Sequence, residues 1–110
     1  MVQRLAVVLS EGALADLESI AAYVLDRSGS EGVANNFIDR IKVRCGSIGN
    51  APRGDRSRDD IVPGLRTVPF EHSAIIAYIV DDDLVRIVNI FYGGRDYETL
   101  MRDGGSSEAS

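Results

Sequence analysis

AIIAYIV-DDD-LVRIVNIFY, residues 74–92, is two apolar runs separated by three aspartates. Each run is rich in Ile and Val and too short to favour a helix, so both read as strands. Asp81-Asp82-Asp83 is turn chemistry, and the stretch predicts a β-hairpin. Immediately upstream, Leu65–Phe70 reads as another strand, and Gly93-Gly94 ends the last one. Further back lies a polar loop, residues 52–64, in which three arginines and three aspartates crowd among prolines and glycines. Near the start of the chain, RLAVVL from Arg4 to Leu9 is long enough for one short strand.

Between that first strand and the loop the apolar period changes from two to between three and four. Ser10 is an N-cap, with Glu11 in the first turn where an acid favours the helix dipole. Leu14, Leu17, Ile20, Ala21, Val24 and Leu25 then mark one face of an amphipathic helix. Ser28-Gly29-Ser30 ends it, and Ser30 caps a second helix whose apolar positions are Val33, Ala34, Phe37, Ile38, Ile41, Cys45 and Ile48. Gly49, Asn50 and Pro52 stop that one. So short a connection makes the pair an antiparallel helix hairpin. The order is strand, helix hairpin, loop, then three strands. Segregated elements of this kind are α+β: an antiparallel sheet, joined by the first strand, with the helices on one face. Residues 1–103 are expected to form one domain and Gly104–Ser110, GGSSEAS, a disordered tail.

The chain has 110 residues, with 12 Lys+Arg against 17 Asp+Glu, a formal net charge of −5 and 45% hydrophobic residues. That length supports one domain with one core. A single cysteine, Cys45, excludes an internal disulfide and a cysteine-based zinc site, and the lone His72 excludes a His-rich metal site. No apolar run approaches the ~20 residues that span a bilayer, and no leader pattern opens the chain, so a reduced, cytoplasmic setting is expected. The acidic balance argues against nucleic-acid binding by the surface as a whole.

No phosphate-cradling glycine loop, nucleophile elbow or set of paired metal ligands is present. The three aspartates lack the spacing of a calcium loop and read as a turn. His72 has no nucleophile that sequence places beside it and reads as a surface loop residue. Cys45, on the apolar face of the second helix, reads as an unreactive core thiol. Eleven of the twelve basic residues are arginine. Arg66 opens a strand, Arg86 lies within the last one, and Arg95 follows its end. Two readings stand for these three: a cluster holding a phosphate or a partner's carboxylates, or pairing with Asp59, Asp60, Glu71 or Asp96 inside the domain.

Four stretches together resemble the ParE/RelE superfamily of toxins from type II toxin–antitoxin modules. Ala13–Tyr23 (ALADLESIAAY) is similar to the family's first helix, and Ala34–Ile41 (ANNFIDRI) to its second. Pro52–Arg66, ending IVPGLR, resembles the loop into the sheet. Ile76-Ala77-Tyr78 and Val85–Asp96, ending YGGRD, resemble the C-terminal hairpin and its Arg-Asp finish. The resemblance covers about Leu5 to Leu100. It implies a small cytoplasmic bacterial toxin neutralised by a ParD-like antitoxin. Within the superfamily the chain fits the ParE side, which poisons DNA gyrase, better than the RelE side, which cuts messenger RNA on the ribosome. The strand Ala74–Tyr78 is apolar where RelE-type members carry an arginine, and the loop into the sheet has no lysine. Arg95 and Tyr97 match family positions but are an incomplete nuclease site. Arginine stabilises charge at a phosphate yet stays protonated, so it hardly activates a hydroxyl. On this reading no residue is catalytic and neither a cofactor nor a metal is required. The partner-binding candidates are Arg66, Arg86 and Arg95 for carboxylates, with Tyr92 and Tyr97 as aromatic anchors.

Overall fold

The structure, a computed structural model, describes residues 4–52 and 56–93. Its elements are β1 (Ala6–Leu9), α1 (Glu11–Ser28), α2 (Glu31–Ile48), β2 (Arg56–Ser57), β3 (Leu65–Phe70), β4 (Ala74–Asp81) and β5 (Leu84–Tyr92). The fold is α+β, as the pattern predicts, and the bounds of β3 and β5 coincide with the sequence reading. The two-residue β2 inside the polar loop has no apolar signal and is legible only from its pairing with β3.

The strands are ordered β1-β5-β4-β3-β2. Neighbours from β5 through β2 are antiparallel, but β1 pairs parallel to β5, with Ala6 opposite Leu84 and Leu9 opposite Ile87. The sheet is therefore mixed rather than wholly antiparallel. Burial alternation is blind to strand direction; what allows the parallel pairing is the long crossover that the helix hairpin supplies.

Both helices start and stop as their caps dictate. The Ser10 hydroxyl accepts from Ala13 N at 3.0 Å and donates to the Val88 carbonyl at 2.8 Å. Gly29 takes the left-handed conformation, φ 70°, and its N–H closes on Leu25 O at 2.7 Å. Ser30 then accepts from Val33 N to begin α2. Ala13, Leu17, Ile20 and Val24 of α1 and Ala34, Phe37, Ile41, Cys45 and Ile48 of α2 are buried against one face of the sheet. Leu14, Leu25 and Val33 were expected in this core and are not. They are 50%, 39% and 50% exposed, because one sheet face covers only a narrow stripe of each helix.

The last strand carries a register shift opposite Ala77/Tyr78. Ala77 pairs with Asn89 but Tyr78 pairs with Ile87, so Val88 is the extra residue of a β-bulge. The N-terminal half of α1 docks on this bulge. Asp16 Oδ2 accepts from Ile90 N at 2.8 Å and from Asn89 Nδ2 at 3.0 Å. The carboxylate caps β5 where β1 no longer pairs with it. Asp16→Ala removes the acceptor from a backbone N–H and a side-chain amide that are both partly buried. It is expected to destabilise the fold by about 2 kcal/mol, read by urea denaturation.

Candidate functional site

The register decides where the candidate arginines point. Arg66 stands opposite Tyr78, and it shares a side of β3 with Val68 and Phe70, on the face beneath the helices. Arg86 stands opposite Ile79 of β4 and Val8 of β1, on the other face. Two strand spacings, roughly 10 Å, and the thickness of the sheet separate them. They do not form one cluster. Arg86 pairs with Asp81 across the hairpin. Arg95 and Tyr97 lie outside the described residues.

Two of the acids named as possible partners, Glu71 and Asp60, pair with arginines outside the candidate set. Glu71 chelates Arg40, its carboxylate accepting from Nε at 2.8 Å and Nη2 at 3.0 Å. Asp60 holds Arg58 in the same two-pronged way at 3.0 and 2.9 Å. Asp59 accepts from the Gly64 N–H and the Ser57 hydroxyl, which shapes the loop into β3. Arg58 is only 7% exposed, and sequence gave no sign that one arginine of this polar loop is buried. The Arg40 guanidinium, hydrogen-bonding to Glu71, holds that carboxyl below its usual value.

Among the described candidates, Tyr92 lies at a groove. Its ring packs edge-on between Tyr23 of α1 and Phe37 of α2, each 5.4 Å between centroids, and Phe37 in turn meets Phe70 of β3 at 5.7 Å. Arginine lies over two rings of this row. Arg27 donates to the Tyr23 hydroxyl at 2.7 Å and lies 5.0 Å from its ring, and Arg40 lies 5.3 Å from the Phe37 ring. Beside the row a half-open groove of about 320 Å³ runs between α1 and the end of β5, lined by Asp16, Ser19, Ile20, Tyr23, Tyr92 and Gly93. Tyr23 and Arg27 were missed as site residues, although their four-residue spacing on one helix is a signal that sequence does carry. The groove is lined by aromatic and apolar side chains together with Ser19 and Asp16, whose carboxylate Oδ2 is occupied by backbone and amide donors. This is the chemistry of an anchor pocket for a partner's side chain.

The remaining candidates sit apart from it. His72 is exposed at the β3–β4 turn, where it and Glu71 both hold positive φ, 60° and 50°. Asp81-Asp82-Asp83 makes the β4–β5 connection, and among the described residues no group of three acids, histidines or cysteines is placed to hold a metal. Cys45 is buried, and burial pushes its thiol from 9.0 up to about 11. The folded-state value lies above the unfolded one. The resulting stabilisation is complete below about pH 9 and is lost as the pH climbs towards the folded value. At pH 8 a thiol reagent is expected to modify native Cys45 only as fast as the protein opens, and urea should abolish that protection.

Among the described residues no helix is long and apolar enough to cross a membrane. No curated protein matches the sequence. In fold, the chain is similar to a solved chain from the chromosomal ParDE toxin–antitoxin system of P. aeruginosa, with a TM-score of 0.72 and 20% identity over 83% of this chain and 98% of that one. The family model for the ParE toxin of the type II toxin–antitoxin system parDE matches residues 7–97, from β1 through the helix hairpin and the whole sheet. The chain thus belongs to the ParE toxins of type II toxin–antitoxin systems.

Proposed function

We propose that this ParE toxin acts in the cytoplasm by poisoning DNA gyrase, carries out no catalytic step of its own, and is neutralised by a ParD-like antitoxin. The family match over residues 7–97 carries the reading. Residues 1–103 act as the toxin domain. The choice of gyrase over the ribosome is supported by the arrangement of the basic groups. Cutting RNA through its 2′-hydroxyl requires a base and a charge-stabilising group at one phosphate. Here Arg66 and Arg86 occupy opposite faces of the sheet, and a net charge of −5 disfavours docking in ribosomal RNA. Direct sequence-specific DNA recognition by the toxin alone is not part of this proposal.

The antitoxin places an apolar side chain in the Tyr23–Tyr92 groove. Arg27, bonded to the Tyr23 hydroxyl at the edge of the groove, meets an acid that flanks such a segment. Arg66, Arg86, Arg95 and Tyr97 remain contact candidates for antitoxin or target. Induction of the toxin without its antitoxin is expected to stop growth, inhibit supercoiling by purified gyrase and accumulate cleaved DNA complexes. Normal supercoiling together with ribosome-dependent mRNA cuts would replace this reading with the endoribonuclease. The groove has its own test. Ser19 is exposed at its rim, so Ser19→Arg fills the groove without touching the core. Affinity for the antitoxin is expected to fall at least tenfold by calorimetry, about 1.4 kcal/mol or more. Thermal stability should stay within about 0.5 kcal/mol of the parent.

A further inference from the structure

Only half of the Asp16 carboxylate is used by the fold. Both bonds that fix α1 to the bulged end of β5, from Ile90 N and Asn89 Nδ2, fall on Oδ2. Oδ1 accepts from no donor among the described residues, and Asp16 makes no ion pair with them. None of their buried side-chain oxygens lacks a partner, so Oδ1 is open to solvent. Asp16 lines the Tyr23–Tyr92 groove. Its charge is thus a fixed feature of that groove, because the backbone amide holds the carboxylate in place. No basic side chain lines the groove to neutralise it.

The other groups along α1 give the groove a direction. Asp16, Tyr23 and Arg27 follow one another at helical spacing and share one stripe of the helix, with the carboxylate and the guanidinium roughly 16 Å apart along its axis. Arg27 is held by the Tyr23 hydroxyl, beyond the tyrosine and away from Asp16. The stripe therefore runs from a negative end through two aromatic rings to a positive end. Aromatic rings beside a carboxylate suit a cation with an aliphatic stem. Resting on the reading of this groove as the antitoxin's site, we propose that Asp16 is its specificity-determining residue: Oδ1 receives an arginine or lysine that neighbours the antitoxin's apolar anchor. The bound segment then carries its base at the Asp16 end and its acid at the Arg27 end. A segment of the opposite polarity sets like charges together at both ends and is rejected.

Asp16→Asn separates the two roles of this side chain. The asparagine carbonyl oxygen keeps both bonds to β5, while its amide puts a neutral donor where Oδ1 stood. Affinity for the antitoxin is expected to fall about tenfold by calorimetry at low ionic strength, and to depend less on salt than the parent's. A purely structural role would leave both readouts unchanged. Affinity lost with Ser19→Arg but not with Asp16→Asn would overturn this proposal alone, whereas affinity indifferent to both would sink the groove reading with it. A second arm needs no antitoxin. N-acetyl-arginine amide and its neutral isostere N-acetyl-citrulline amide are titrated into the full-length protein and followed by nuclear magnetic resonance. The arginine compound alone is expected to shift the Tyr23 and Tyr92 rings and the Ile20 methyls, and Asp16→Asn to abolish the shifts. Equal shifts from both compounds, or none from the arginine compound, would overturn the proposal. If the asparagine variant does not fold, the two titrations of the parent protein still decide.

Discussion

Replacing Tyr78 by alanine is expected to cost about 3–5 kcal/mol, and replacing it by phenylalanine only about 1. Tyr78 is completely buried and is the largest side chain of the core to be so. Its ring sits on β4 under both helices, at the register shift opposite Ile87. Its hydroxyl reaches out of the apolar core to donate to the Pro52 carbonyl at 3.0 Å. One side chain therefore joins the sheet to the segment that follows α2. Alanine opens a cavity the size of the ring in close-packed surroundings, which relax only in part. Phenylalanine keeps the volume and leaves one buried carbonyl without that donor. A domain of this length has about 5–15 kcal/mol of stability, so the alanine variant should be largely unfolded at moderate urea. Equal losses for the two variants would show that the hydroxyl, not the ring, supplies the stabilisation. A loss below about 1 kcal/mol for alanine would show that the core collapses around the gap.

What the sequence made legible here was whatever depends on local period. β3 and β5 are apolar runs bounded by turn residues, and both ends of each were readable. The helix hairpin was readable from Ser10, Gly29 and Ser30, whose caps form as their chemistry demands. The readings that failed depend on what lies across the fold. Leu14, Leu25 and Val33 look like core on a helical wheel, and only the width of the sheet says otherwise. Pairing of Asp60 and Glu71 inside the domain is one of two readings that the sequence leaves open, and which arginine reaches each one depends on the loop path and on α2 crossing the β3–β4 turn.

The candidate site shows the same limit at a single residue. Arg86 and Tyr92 are six positions apart on β5, so strict alternation puts both on one face. The bulge at Val88 inserts one residue between them. Tyr92 consequently turns to the helix side, where it meets Tyr23 and Phe37, and Arg86 points to the other. Nothing in the run LVRIVNIFY announces that shift. It exists because the cap of α1 and the Asp16 carboxylate bind the backbone there, a contact 73 to 78 residues apart in the chain.

Gly49→Ala is expected to cost about 3 kcal/mol, whereas Gly46→Ala, one turn earlier in the same helix end, should be neutral or stabilising by up to about 1. The contrast isolates a steric cause. Gly49 has φ −61° and ψ −20°, a conformation any residue adopts, so backbone freedom is not why glycine stands there. A methyl group at Gly49 would overlap the Leu5 carbonyl oxygen and press on Val7 Cγ2 at 3.0 Å, whereas one at Gly46 meets nothing within 4 Å. The Leu5 oxygen is backbone and cannot swing aside as a side-chain tip would. The neighbouring Leu5 N–H is already bonded to the Gly49 carbonyl at 2.9 Å, which ties the end of α2 to the start of β1. Relief requires that seam to part, and with it the parallel edge of the sheet. β1 adjoins only β5 in the strand order, so the damage should concentrate there. Amide hydrogen exchange is expected to quicken at residues 5–9 of Gly49→Ala before the β3–β4 ladder is affected. Exchange that instead quickens evenly across the sheet would mean that β1 and the rest of the fold open as one cooperative unit.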